Sequence, residues 1–432
     1  MAGLSWVSIF RLGLVQTALG AIVVLATSTL NRVMVVELAL PAMLPGALVG
    51  FHYAVQMLRP RWGFGSDAGG RRTPWILGGM AVLAAGGYLA ALGTVWMGEA
   101  FWLGLVVTVL AFGLIGVGVG AAGTSLLALL ATTVAPTRRA AAATIVWLMM
   151  IAGFVVTATS AGALLDPFSS ERLLAVVGGI AVIAVALSLV AVLGIEAGAA
   201  KLREDRPAET PDFMAVLREV WAEDKARRFT VFVFVSMLAY SWQDLILEPF
   251  AGHVFGMTPG QSTALAGMQH SGTFVGMLLV GVGASGLKVG SMKFWTVAGC
   301  LGSAAALGWI TLAGLKGLAL EPAVFALGFG NGTFAVAAIA SMMGLASEGA
   351  EGREGTRMGL WGAAQAIAFG LGGFAGAMGA DVARALIVDP AAAYGIVFLA
   401  EAALFLVSAA LALRIALPAP VAARPSALVP GE

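Results

Sequence analysis

Charge is what this chain most lacks. Asp, Glu, Lys and Arg make up only 11% of its 432 residues, against about 25% in an ordinary soluble domain. That shortfall excludes a soluble globular protein and a disordered chain. The 24 basic and 23 acidic residues nearly cancel, net +1, which excludes a basic nucleic-acid-binding surface. Cysteine is reduced to one residue, Cys300, so no disulfide framework and no cysteine metal cluster can be built. No Gly-x4-Gly-Lys-[Ser/Thr] phosphate loop and no His-Glu-x2-His occurs. Their absence disfavours an ATP-driven pump or a metalloenzyme, and the chain reads as a non-enzyme. What is present is hydrophobic surface, 60% of residues, with a mean hydropathy of +0.95. Glycine contributes 58 residues, nearly twice the usual share of about 7%. The remaining class is an all-α membrane protein with many spans.

A bilayer core takes about 20 apolar residues in a helix. Twelve segments meet or approach that length: 12–30, 36–58, 74–97, 101–133, 140–165, 173–195, 229–249, 262–285, 293–315, 322–347, 357–380 and 391–414. Eleven residues with one cation, Arg11, precede the first, which reads as a retained helix and not a cleaved signal. With the N-terminus inside, nearly all cations fall on the cytoplasmic side, and only Arg32, Arg172, Lys316 and Arg384 lie outside. This bias predicts both termini in the cytoplasm. The longest polar stretch divides the chain into a six-helix bundle (1–195), a cytoplasmic linker (196–228) and a second six-helix bundle (229–416), followed by a proline-rich, disordered tail (417–432). Within the linker, 213–228 has apolar spacing suited to an amphipathic surface helix. Six helices, a central loop and six more helices is the layout of the major facilitator superfamily.

The halves of such a fold are parallel repeats. An offset of 218 places His52 on His270, and one of 211 places Glu37 on Glu248 and Arg32 on Gln243. After the second helix, Gly63, Asp67, Gly70, Arg71 and Arg72 follow the spacing Gly-x3-Asp-x2-Gly-Arg-Arg, which resembles the superfamily's inner-loop motif. Glycines permit the tight turn, and Asp67 can meet a helix N-terminus or an arginine. The expected role is to lock the halves on the inner face; the alternative is that the arginines only fix topology.

Charges inside a membrane are costly and mark candidate sites. They gather at the outer ends of helices one, two and seven as Asn31, Arg32, Glu37, Gln243, Asp244 and Glu248, with Glu401 apart in helix twelve. Asp244 and Glu248 share a helix face and repel, so Arg32 is expected to contact one or both. The cluster is read as a structural latch, a clamp on a cargo head group or access gate, or a proton-coupling site. His52 and His270 stand in apolar helices. They serve either as hydrogen-bonding partners between helices, as axial ligands of a magnesium tetrapyrrole, or as a proton relay. Pairs such as Gly116 with Gly120, Gly328 with Gly332 and Gly372 with Gly376 are expected to bring helix backbones together.

The strings Leu30-Asn31-Arg32-Val33-Met34-Val35-Val36-Glu37 and Gln243-Asp244-Leu245-Ile246-Leu247-Glu248-Pro249-Phe250 carry a closer resemblance. With them go Arg71-Arg72-Thr73-Pro74, Gly328 to Gly332, and Gly359-Leu360-Trp361-Gly362-Ala363-Ala364-Gln365-Ala366. These resemble the PucC/LhaA-type proteins, the bacteriochlorophyll delivery branch of the major facilitator superfamily. The resemblance implies a multi-pass protein of the bacterial inner (intracytoplasmic) membrane. It implies support of light-harvesting antenna assembly by handing bacteriochlorophyll, as cargo, to antenna polypeptides. Pigment-synthesis enzymes and the insertion machinery are further implied partners. Candidate cargo residues are His52, His270, Gln365 and Trp361. A proton-coupled transporter of a small solute and a cargo-free scaffold are the alternatives. The scarcity of polar groups in the central helices favours a lipophilic cargo over a hydrophilic solute.

Overall fold

The computed structural model describes residues 4–58, 71–134, 138–198, 221–286, 289–348 and 354–414, and every regular element among them is helical. Twelve long helices follow in order. The first half holds α1 (Trp6–Glu37), α2 (Met43–Gln56), α3 (Thr73–Glu99), α4 (Phe101–Thr133), α5 (Arg139–Leu165) and α6 (Ser170–Val192). The second holds α7 (Asp224–Phe255), α8 (Pro259–Val280), α9 (Met292–Lys316), α10 (Glu321–Glu348), α11 (Glu354–Leu386) and α12 (Pro390–Arg414). Ten of them are long and apolar enough to cross a membrane; α2, with 14 residues, and α10 complete the set. The chain is a multi-pass membrane protein. We call upper the end at which α2, α4, α6, α8, α10 and α12 begin.

Local chemistry sets the helix starts. Ser169 and Ser291 accept from the N–H groups three residues on and open α6 and α9. Thr258 and Gln261 form a reciprocal capping box ahead of α8, with Pro259 at its first position. Cations close the lower ends. Arg11 of α1 donates to the carbonyls of Val190 (3.0 Å) and Leu193 (2.6 Å) at the end of α6. Lys293 of α9 does the same for Leu413 at the end of α12.

Two of the expected boundaries need correction. The first helix runs to Glu37, not to residue 30, so Glu37 closes α1 and does not open the second helix. Arg32 does not end the helix because it is buried and neutralised within it. The seventh helix starts at Asp224, inside the stretch read as linker, and carries a 3-10 turn at Gln243–Leu245. Gly63, Asp67 and Gly70, the first half of the proposed amphipathic segment (213–220), and the tail after residue 414 lie outside the described residues.

Each half has its own buried core, one drawn from α1–α6 and one from α7–α12, with Leu245 and Ala377 reaching into the first and Ile151 into the second. The Gly-x3-Gly pairs are architectural. A Cβ on Gly328 would lie 1.9 Å from the Gln269 carbonyl and one on Gly332 2.0 Å from that of Thr273, so α8 and α10 touch backbone to backbone. Gly372 and Gly376 do the same for α11 against α7, where a Cβ would meet Ser241 Oγ at 2.1 Å and the Trp242 carbonyl at 2.2 Å.

Candidate functional site

The upper part of the bundle, where the halves meet, holds the polar residues. Two π turns in α1, Leu25–Thr29 and Val33–Glu37, flank Arg32. A π turn closes i to i+5, as the Leu38 N–H does on the Val33 carbonyl (3.0 Å). It therefore brings side chains five apart to one side, and Arg32, only 2% exposed, forms an ion pair with Glu37. The second arm of the guanidinium donates to the Met257 carbonyl beyond α7. Gly252 leaves the room: a Cβ there would sit 3.1 Å from Arg32 Nη2. Arg32 thus pairs with Glu37 on its own helix, contrary to the expected contact with Asp244 or Glu248.

The other members of the cluster divide. Asn31 is buried and donates to the Leu245 carbonyl at 2.9 Å. That carbonyl is free because its helical partner would be the nitrogen of Pro249, which has no hydrogen. Gln243 donates to the Tyr240 carbonyl at 3.0 Å. Glu248 is buried and accepts from Ser262 (3.1 Å) and Thr263 (3.5 Å) of α8, while its second oxygen has no hydrogen-bond partner. Thr263 also meets Thr29 of α1 at 3.0 Å. Asp244, like Glu37, is exposed. Glu401 is fully buried in α12 with neither carboxylate oxygen hydrogen-bonded.

Below this crossing run two seams, α5 on α8 and α11 on α2. On the first, the Asp166 carboxylate accepts from the Thr258 hydroxyl (2.7 Å), Gly162 packs on Gly260, and Thr159 packs on Gly267. The seam ends at Phe154 against His270, 4.9 Å between ring centroids. On the second, Asp381 accepts from the N–H groups of Ala42 (2.9 Å) and Met43 (2.7 Å) at the start of α2. Ala377 packs on Gly46, Gly370 on Gly50, and Phe369 stacks on Tyr53 at 5.9 Å.

The two histidines lie on different seams. His52 is 2% exposed, with Nδ1 3.2 Å from the Val49 carbonyl and Nε2 2.7 Å from the Gln56 amide nitrogen, so both ring nitrogens are engaged. His270 is partly exposed and neither of its ring nitrogens has a hydrogen-bond partner among the described residues. Trp361 is buried against Phe229 (4.9 Å) in the core of the second half. Gln365 is half-buried one turn further on. Of the inner-loop motif, Arg71 and Arg72 fall at the start of α3, where the Arg72 (2.6 Å) and Thr73 (3.0 Å) N–H groups donate to Glu196 beyond α6. Burial opposes ionisation of Glu196, but these two N–H bonds, the Thr73 hydroxyl and the charge of Arg71 outweigh it and hold its pKa below the ordinary carboxyl value. Sequence reasoning passed over Asp166, Asp381, Tyr53, Phe154 and Phe369. A signal was there: Asp166 and Asp381 are 215 residues apart, as are Phe154 and Phe369.

Residues 29–419 match the family described as PUCC protein. The chain belongs to that family. Over 429 residues this PUCC-family chain is 57% identical to the Rhodobacter capsulatus protein named Bacteriochlorophyll synthase 44.5 kDa chain, covering 99% of this chain and 98% of the relative. It is 30% identical to Protein PucC of Cereibacter sphaeroides, covering 91% and 88%. Among solved structures it resembles a bacterial homologue of the human lysosomal transporter Spinster, with a TM-score of 0.68 at 15% identity over 94% of this chain and 96% of that one. Likeness at that identity concerns the fold alone, and the fold of this PUCC-family chain is that of the major facilitator superfamily.

Proposed function

We propose that this PUCC-family chain binds bacteriochlorophyll and delivers it to light-harvesting antenna polypeptides during antenna assembly. The observation that carries the reading is His270. It is an unengaged imidazole beside Phe154 on a seam between the halves, in a chain 57% identical to a protein whose name refers to bacteriochlorophyll. Neutral imidazole is a ready ligand for a magnesium centre, and the flat ring of Phe154 suits a flat conjugated cargo. His52 is the second candidate, and its use would require Gln56 to let go of Nε2. Gln365 is a candidate hydrogen-bonding group for the cargo rim, and Trp361 supports that region from the core. The upper polar cluster acts as a latch between α1 and α7. Arg71 and Arg72, held by Glu196, with Gly63, Asp67 and Gly70, lock the inner face.

The cation bias supports an upper end in the periplasm and both termini in the cytoplasm of a bacterial inner membrane. The reading is non-enzymatic. The chain carries and positions pigment, with antenna subunits, pigment-synthesis enzymes and the insertion machinery as partners. Purification in mild detergent from a phototrophic host tests it. The expected result is a co-eluting tetrapyrrole absorption band that weakens strongly in His270→Ala and less in His52→Ala. A colourless protein that still co-purifies with antenna subunits would favour a cargo-free scaffold. One observation favours a second reading, proton-coupled transport of a small solute: Asp244 is exposed on an otherwise buried stretch of α7. Solute uptake into proteoliposomes that is lost in Asp244→Asn would support it over pigment delivery.

A further inference from the structure

The seams α5–α8 and α11–α2 repeat one another in detail. Each begins at the upper end with an aspartate, Asp166 at the C-cap of α5 and Asp381 in α11, which reaches the start of the second helix of the other half. Each then continues through a contact of small residues, Gly162 on Gly260 and Ala377 on Gly46. Each ends at an aromatic contact, Phe154 with His270 and Phe369 with Tyr53. On the fifth helices the three positions correspond at one offset: Asp166 with Asp381, Gly162 with Ala377, and Phe154 with Phe369 are all 215 residues apart. Hydrogen bonds join the two halves in this upper region through Thr29, Asn31, Arg32, Ala42, Met43 and Asp166.

We infer that Asp166 and Asp381 are a symmetry-related pair of latches that hold the upper end closed, and that the halves part there when both let go. The geometry supports a reversible catch. A carboxylate accepting from a helix start gains from the partial positive charge of that end. It does so through one to two hydrogen bonds to a rigid partner, without an ion pair to dismantle. Both aspartates retain access to water, Asp166 being exposed and Asp381 half-buried, so water can replace the helix start as their partner when the halves part. The small-residue contacts below them give flat surfaces that separate without unthreading side chains. The inference does not depend on what the cargo is.

The test is a distance between spin labels at the upper end, read by pulsed electron resonance in detergent. Labels go on Glu171→Cys of the first half and Val388→Cys of the second, both exposed, in a Cys300→Ser background. The parent should give mainly one short distance. Asp166→Ala and Asp381→Ala should each raise the ratio of long to short distances about fivefold, the usual scale for losing a helix cap. The double variant should multiply the two effects, because the sites lie on separate seams. Asparagine variants sharpen the assignment. Asp166 uses one oxygen, which Asp166→Asn retains, so that variant should resemble the parent. Asp381 uses both, so Asp381→Asn should fall between parent and Asp381→Ala. An unchanged distribution in the folded double variant overturns the inference. If the double variant does not fold, the Asp381→Asn and Asp381→Ala pair decides alone: equal, parental distributions in both overturn it. Pigment absorbance is not read here, so failure of the latch and failure of the delivery reading are separate results.

Discussion

The helix pairs α3–α4 and α9–α10 occupy corresponding places in the two halves but differ in how far their backbones stay in contact. Gly79, Gly86 and Gly93 stand every seven residues along α3, opposite Gly118, Ala111 and Gly104 along α4. A Cβ on Gly79 would lie 2.6 Å from the Ala122 nitrogen, and one on Gly118 2.5 Å from that of Leu83. The two backbones therefore touch along their whole length, and seven-residue spacing is what keeps one stripe facing a partner. On α9, Gly299 makes such a contact with Phe334, while Gly308 faces open space. The α9–α10 backbones meet near Gly299, with a Cβ on Gly330 lying 2.6 Å from the Ser303 nitrogen and a Ser303 hydroxyl donating to Asn331 at 2.7 Å, while the Phe334 ring turns to Phe232 of α7 and Phe405 of α12 at 6.3 Å each. One pair keeps its backbones together along its length; the other does so only around Gly299 and Gly330 and ties itself to α7 and α12 through Phe334.

Breaking that contrast should produce the largest effects. Gly118→Leu should abolish folded protein on size-exclusion chromatography, since the clash is with backbone, whereas Gly308→Leu should elute as the parent does. Phe334→Ala should cost about 3–5 kcal/mol in detergent unfolding, the usual loss for a buried aromatic. The reverse change, Ala111→Phe in the glycine seam, should be no better tolerated than Phe334→Ala. Glu37→Ala should cost about 3 kcal/mol, because it leaves the Arg32 guanidinium buried without its counter-charge. Arg32→Met with Glu37→Ala together should recover part of that loss.

Smaller effects refine the picture at the ends of the helices. Glu196 has a lowered pKa when folded, so its contribution is complete above the ordinary carboxyl range and is lost as the pH falls through its folded value. Thermal midpoints of the parent and of Glu196→Gln should therefore converge on acidification and diverge near neutrality. Ala39, between α1 and α2, has φ of 49°. Ala39→Gly should raise stability by up to about 1 kcal/mol, since a left-handed backbone disfavours a Cβ.

Most of the helical layout was legible from charge-free runs, because lipid tolerates few other sequences. The limits of α1 were not, because a buried arginine reads as a terminus unless its partner is known. That partner is five residues away, a spacing that faces one side only in a π turn. Pro249 was visible, but its effect on the Leu245 carbonyl needed Asn31 placed beside it. Asp166 and Asp381 look like loop charges in one dimension and become latches only when the seams are seen. The seven-residue glycine stripe was written in the sequence throughout, and a search at spacing four passes over it. His52 and His270 stand on the second and eighth helices, but Tyr53 takes the seam position that matches His270, and only coordinates separate the engaged imidazole from the unengaged one.

The cations at the lower helix ends tie orientation to order of synthesis. Lys293 enters the membrane 120 residues ahead of the Leu413 carbonyl that it finally caps. Until the ribosome has delivered the last helix, that ammonium has only water and lipid head groups around it. Its docking is then a mark that α12 is in place. A truncation before α12 would leave the same lysine able to set topology but not to close the second half, which separates correct insertion from completed folding in a single residue.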